Sequence, residues 1–181
     1  MAATGPAALR RVIGAVAGLG ALLMIGASFL PWISTGTEDG GRTAITGWGG
    51  ITGSSGIAGT NLNDVLDGAG TYRPGLIGAI FGVIALIAAI AVAAVAGGAR
   101  PHRVTASVLV LCGLVGVGWG VFRGFDPGDA GVFEAGDAAV GIGPWLTALG
   151  GLLVLAAAVT ILVGVIDPPV TSAGRRGIQP R

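Results

Sequence analysis

The sequence predicts an all-α integral membrane protein, a bundle of four transmembrane helices with a small extracytoplasmic β-hairpin in its first outer loop. Three observations lead there. Four runs, at 12–30, 75–99, 104–122 and 144–166, contain no Asp, Glu, Lys, Arg or His. A helix needs about 20 such residues to cross about 30 Å of hydrocarbon. Charged residues are 10% of the 181-residue chain, against about 25% in a soluble domain, so little polar surface is left to wrap four core helices. The third observation is the sidedness of the arginines.

The chain has no lysine; Arg10 and Arg11 precede the first run, Arg100 and Arg103 separate the second from the third, and Arg175, Arg176 and Arg181 lie in the tail. The two other loops hold only Arg42, Arg73 and Arg123, together with Glu38, Asp39, Asp64, Asp67, Asp126, Asp129, Glu134 and Asp137. Basic residues concentrate at the cytoplasmic ends of spans. The expectation is a multi-pass protein of the plasma (inner) membrane with both termini cytoplasmic. It is read as a single membrane domain, 1–181, with spans at about 12–33, 75–99, 104–123 and 144–166, outer loops at 34–74 and 124–143, and a tail at 167–181.

The first span is longer than the core of about 7–15 residues in a signal peptide, and its apolar run continues into Phe29 and Leu30, so it reads as a retained helix. The second, 75–99, holds eleven Leu, Ile, Val or Phe residues, each favouring insertion by about 0.3–0.6 kcal/mol near the helix centre. Small residues recur at four-residue spacings: Gly78/Gly82 and then Ala85, Ala89, Ala93 and Gly97 in the second span, Gly143, Thr147 and Gly151 and then Ala156, Thr160 and Gly164 along the fourth, with Gly14/Gly18 and Gly116/Gly120 in the others. In lipid that spacing lets helix backbones approach closely. It fits bundling within the chain, or a face for a membrane-protein partner or a second copy.

Aromatic residues mark one side. Phe29, Trp32, Trp48, Tyr72, Phe81, Trp119, Phe122, Phe125, Phe133 and Trp145 all fall on or near the outer side. They form either an interfacial belt or an outer cap that packs the loops onto the helices. In the first outer loop, Ile- and Thr-containing stretches at 33–37 and 42–46 flank Asp39-Gly40, a favoured pair for a hairpin turn. Residues 61–67 predict one or two helical turns, capped by Thr60 or Asn61 and stopped by Gly68. Pro74 suits the first turn of the second span. The second outer loop carries four acids, Asp126, Asp129, Glu134 and Asp137, in no calcium-loop spacing, and reads as a solvated acidic segment.

Chemistry-bearing patterns are sparse. Without lysine there is no P-loop, and no G-x-G-x-x-G occurs. His102, beside Pro101, reads as a solvated residue of the short cytoplasmic turn, and the single Cys112 as a small hydrophobe of the third span. No Asp, Glu, His or Arg falls inside the four apolar runs, which argues against an ion-coupled carrier. No catalytic residue, cofactor, metal ligand or nucleic-acid partner is assigned.

Some residues also carry a resemblance. The run Phe29-Leu30-Pro31-Trp32-Ile33 closing a Gly/Ala-rich first span, Thr46-Gly47-Trp48 in the outer loop, and Gly143-Pro144-Trp145-Leu146 opening the fourth span resemble the tryptophan-operon-associated four-span membrane proteins of actinobacteria. The lysine-free, Ala/Gly/Arg-rich composition suits a high-GC genome. The layout is also similar to claudin-like proteins, without their paired loop cysteines. Neither likeness implies a reaction. The expectation is a non-enzymatic structural or accessory subunit of a larger envelope or membrane complex, surrounded by the lipid bilayer. The alternative is a lipid- or small-hydrophobic-molecule-binding membrane protein with an outward-facing groove. Packing roles are expected of Trp32, Trp48 and Trp145 in the cap and of Gly78, Gly82, Gly151 and Gly164 between helices.

Overall fold

A computed structural model describes residues 6–36, 41–68, 70–94, 99–127 and 138–164. The order of elements is α1 (Pro6–Ala27), β1 (Pro31–Gly36), β2 (Arg42–Thr46), β3 (Ile51–Gly53), α2 (Leu62–Val65), α3 (Gly75–Ala94), α4 (Ala99–Phe125), β4 (Ala138–Val140) and α5 (Ile142–Leu162). The molecule is mostly helical, and four of its helices, α1, α3, α4 and α5, are long and apolar enough to cross a membrane. Each packs on two others, closing a ring in the order α1, α3, α4, α5.

Small residues make the helix crossings, and large ones point away from them. Ala17, Ala21, Ala85, Ala106 and Ala158 are completely buried, whereas Leu19, Leu22, Ile87, Ile90, Leu111, Leu114, Leu149 and Leu152 are exposed. A water-soluble bundle has the opposite arrangement, with its large apolar side chains inside. Outward-facing Leu and Ile suit a lipid environment, where tight backbone contact rather than hydrophobic burial holds helices together. Gly20 of α1 and Gly150 of α5 show how tight the contact is. A Cβ on either would lie 2.5 Å from the other's carbonyl oxygen. Gly82 rests on Ala21 and Ile25 of α1, Gly151 on Gly113 and Val117 of α4, and Gly78 near Thr147.

The sheet extends the expected hairpin to four antiparallel strands in the order β3-β2-β1-β4. Strands β1 and β2 pair from Pro31↔Thr46 to Gly36↔Arg42, with a bulge after Pro31; the Asp39-Gly40 turn between them lies outside the described residues. The second outer loop supplies β4, whose Ala139 pairs with Ser34. Its short Ala-Ala-Val sequence has no strand signal, and only the partner strand makes it one. Ile33, Ile45, Ile51, Leu62 and Tyr72 form a second, smaller core beneath the sheet. As the sequence predicts, Asn61 caps α2, its side chain accepting from the Asn63 N–H at 2.9 Å, and Gly68 follows with φ 83°.

Three features depart from the sequence reading. The first helix stops at Ala27 although the apolar run continues, because Pro31 lacks an N–H for a helix and Trp32-Ile33 join the sheet. Helix α4 begins at Ala99 and so includes Arg100 and His102. His102 is 3% exposed and its Nε2 has no hydrogen-bond partner, so it is a buried helical residue, not a solvated turn residue. At its other end α4 runs through Arg123 to Phe125, which places that arginine on a helix and not in a loop.

The Gly20–Gly150 crossing leaves no room for a methyl group, and overpacking costs about 1–3 kcal/mol. Gly150→Ala is expected to lower the melting temperature in detergent by several degrees. Gly118→Ala, on an exposed face with nothing within 4 Å, is expected to leave it unchanged or slightly raised. Thermal unfolding followed by circular dichroism compares the two, and equal melting temperatures would contradict the close-crossing account.

Candidate functional site

At the sheet end of the bundle the loop before α3 meets the last turn of α4. Several directional contacts fix that loop. The Tyr72 N–H donates to Asn63 Oδ1 at 2.6 Å, and Asn63 Nδ2 donates back to the Tyr72 carbonyl at 3.2 Å. The Gly75 N–H donates to the Gly47 carbonyl at 2.9 Å. From α4, Trp119 Nε1 donates to the carbonyl of Pro74, the residue just before α3, at 2.8 Å. The loop is thus held by α2, by the turn after β2 and by α4.

An open groove of about 260 Å³ lies here, lined by Thr71, Tyr72, Arg73, Pro74, Ile77, Trp119 and Arg123. Ligand pockets for drug-sized molecules run about 300–1,000 Å³, so this one matches a headgroup or fragment. Its walls divide by chemistry. Ile77, Pro74 and the Trp119 ring are apolar, while Arg73 stands exposed at the lip and Arg123 is buried behind.

Arg123 is the unusual member. It is 5% exposed, and its Nε has no hydrogen-bond partner. Its guanidinium carbon sits 5.8 Å from the Trp119 ring centroid, within cation–π range. Its place in the last turn of α4 sets its charge against the negative end of the helix dipole. Among the described residues it forms no ion pair; Asp126, one turn further on, is exposed. Tyr72, only 2% exposed, is close enough to feel the Arg123 charge, yet its hydroxyl completes no hydrogen bond of ordinary geometry. Burial pushes the Tyr72 phenol up to about 12, and the opposing pull of Arg123 only partly offsets it. Both residues line the one groove, with the Arg123 Nε buried and unpaired and the Tyr72 hydroxyl buried beside that guanidinium.

The residues expected to pack are placed as follows. Trp32 is fully buried, its Nε1 donating to the Ala27 carbonyl at 2.8 Å. Trp48 donates to Ser28 Oγ at 3.0 Å and stacks on Phe29 with ring centroids 5.9 Å apart. Trp145 is 41% exposed and meets Phe125 edge-on at 5.5 Å. Gly78, Gly82 and Gly151 are buried at helix contacts, whereas Gly164 follows the end of α5 with φ 78°, a helix-terminating position. None of these lines the groove. Sequence reasoning missed Arg123, Tyr72 and Trp119 as a group because each served there only as an end marker of a span. The available signal was the four-residue spacing of Trp119 and Arg123, which puts both on one helical face. The acids Asp129, Glu134 and Asp137 lie outside the described residues.

Tyr72 is the chain's one tyrosine, so alkaline absorbance at 295 nm reports it alone. In folded protein the transition is expected near 12, moving to about 10 in denaturant. Because the folded value is raised, the associated stability is complete below about pH 10 and lost as the pH climbs toward 12. A folded-state midpoint near 10 would show the hydroxyl to be solvated. No family model matches the chain and no characterised protein matches it in sequence.

Proposed function

We propose that the chain is a non-enzymatic, multi-pass membrane protein, a four-helix bundle in the plasma membrane. It binds an amphiphilic ligand in the groove between the α3 loop and α4. The sheet faces outward and both termini are cytoplasmic, as the arginine distribution favours. The observation that carries this reading is the groove itself: an apolar wall of Ile77, Pro74 and Trp119 adjoins the buried Arg123, whose Nε has no partner, with the Tyr72 phenol beside it. Pockets of that kind, mostly apolar with a few convergent polar groups, are the usual form of small-molecule sites. Being at a helix end, this one sits where an amphiphile's headgroup and first methylenes would lie.

The accessory-subunit reading draws its support from the cap. The sheet joins strands from both outer loops, and the cap exposes Ile57 and Val65, giving a fixed surface with apolar points for a partner. The small-residue helix faces support a second copy less well, since Gly20, Gly82, Gly150 and Gly151 are already occupied by contacts within the chain. The likeness to tryptophan-operon-associated membrane proteins fits either reading.

Protein purified in native lipid discs is expected to carry a defined amphiphile, detectable by mass spectrometry after extraction. Ile77→Trp, which fills the groove, should remove it with little change in melting temperature; an unchanged lipid complement in the variant would refute the ligand reading. A stoichiometric protein partner lost on Ile57→Glu, with the amphiphile absent, would instead favour the accessory role. In a Cys112→Ala background, Thr52→Cys is expected to react with a membrane-impermeant maleimide added to intact cells. Labelling only after lysis would invert the topology.

A further inference from the structure

We infer that the groove beside Trp119 is a site for an oxyanion, the negatively charged headgroup of a lipid or a free phosphate, held between Arg123 and Arg73. The inference rests on the amphiphile reading above and adds the chemistry of the headgroup. An arginine carries five N–H donors and stays protonated in any folded protein. Arg123 is 95% removed from solvent by its 5% exposure, has no carboxylate partner among the described residues, and leaves Nε unsatisfied. A buried charge without a counter-charge is strongly destabilising, and neither the Trp119 face nor the helix end supplies an anion. Tyr72, whose phenol lies beside Arg123, lines the same groove. Arg73 brings a second guanidinium from the exposed lip of the groove. A planar guanidinium matches the paired oxygens of phosphate or carboxylate in a bidentate manner. Ile77 and Pro74 continue the groove with apolar surface, which favours an anion attached to an acyl chain over a free one.

Two other grooves help by contrast. One between α3 and α4, lined by Ile84, Ile87, Ala88, Val104 and Val108, and one beside Trp48, lined by Leu76, Ile80 and Val83, contain no charged side chain. They fit acyl chains without choosing a headgroup; of these three grooves, the one at Arg123 carries the charge.

The test titrates the full chain in a neutral detergent with dioleoylphosphatidylglycerol, dioleoylphosphatidylcholine and inorganic phosphate separately, read by native mass spectrometry and thermal unfolding. Phosphatidylglycerol is expected to bind and to raise the melting temperature, with phosphatidylcholine much weaker. Arg123→Gln and Arg73→Gln are each expected to weaken phosphatidylglycerol binding about tenfold, as for loss of one charge-assisted contact, and Arg123→Lys less. Should Arg123→Gln fail to fold, the exposed Arg73 variant decides the same question. Inorganic phosphate binding with equal strength and the same arginine dependence would support the oxyanion site while removing the amphiphile. Equal binding of both lipids, untouched by either variant, would overturn the anion inference and leave the amphiphile reading intact. Binding of none of the three would overturn both.

Discussion

The indole of Trp32 holds together the point where the bundle becomes the cap. Helix α1 ends at Ala27, and a helix end leaves carbonyls without partners. Trp32 Nε1 donates to the Ala27 carbonyl at 2.8 Å, and Ser28 Oγ to that of Ile25 at 2.6 Å. The chain can therefore leave the helix and enter β1 within a few residues without stranding polar groups in an apolar layer. The ring itself is sandwiched by backbone: a Cβ on Gly47 would come within 2.7 Å of Trp32 Nε1, and one on Gly143 would strike Trp32 Cδ1 and Nε1. Those glycines belong to the turn after β2 and to the first turn of α5, so one side chain registers α1, the sheet and α5 together. Ser28, completely buried, also accepts from Trp48, which ties the same junction to the outer loop.

From that junction the rest of the architecture follows. Helices drawn together through Gly20–Gly150 and Gly82–Ala21 contacts leave no room for a side chain at those crossings, so a site with polar lining has to form where elements diverge. They diverge beneath the cap, where the loop before α3 is pulled aside by Asn63 and Gly47 and pinned to α4 by Trp119. The cap thus shapes the groove as well as covering the bundle end.

How much of this was legible in the sequence depended on whether the signal was local. The four apolar helices, the β1–β2 pair and the Asn61 cap are written in runs, alternation and side-chain chemistry within a few residues of each other. Strand β4 was not legible, since Ala-Ala-Val becomes a strand only by pairing with Ile33, Ser34 and Thr35 far away in the chain. The ends of α4 were misread for a related reason. Counting charge treats His102 and Arg123 as marks of where a span stops, whereas both are buried on a helix that runs past them. Tertiary packing decides the ionic environment at a helix end, and nothing in a single run of residues reports it. The packing tryptophans show the same limit. Trp32 and Trp145 look alike in the sequence, yet one is fully buried and the other 41% exposed.

Arg123 shows why the placement bears on function. Its environment is partly prepared for a cation, by the carboxyl end of α4, worth about 0.3–1 kcal/mol, and by the Trp119 face, worth about 0.5–2 kcal/mol. Burying a guanidinium away from water costs several kcal/mol, more than those two influences return. A side chain of that length could relieve the cost by reaching past the helix end into solvent, as long basic side chains near membrane boundaries commonly do. Arg123 instead turns inward against Tyr72 and Trp119. Holding a fixed, desolvated cation with a free N–H beside an open groove is unfavourable for the empty protein and favourable for one that meets an anion there. The gain from pairing is largest where water has already been removed. The rigidity of the Asn63–Tyr72 clamp and the Trp119–Pro74 hydrogen bond means that little conformational freedom is left to lose on binding.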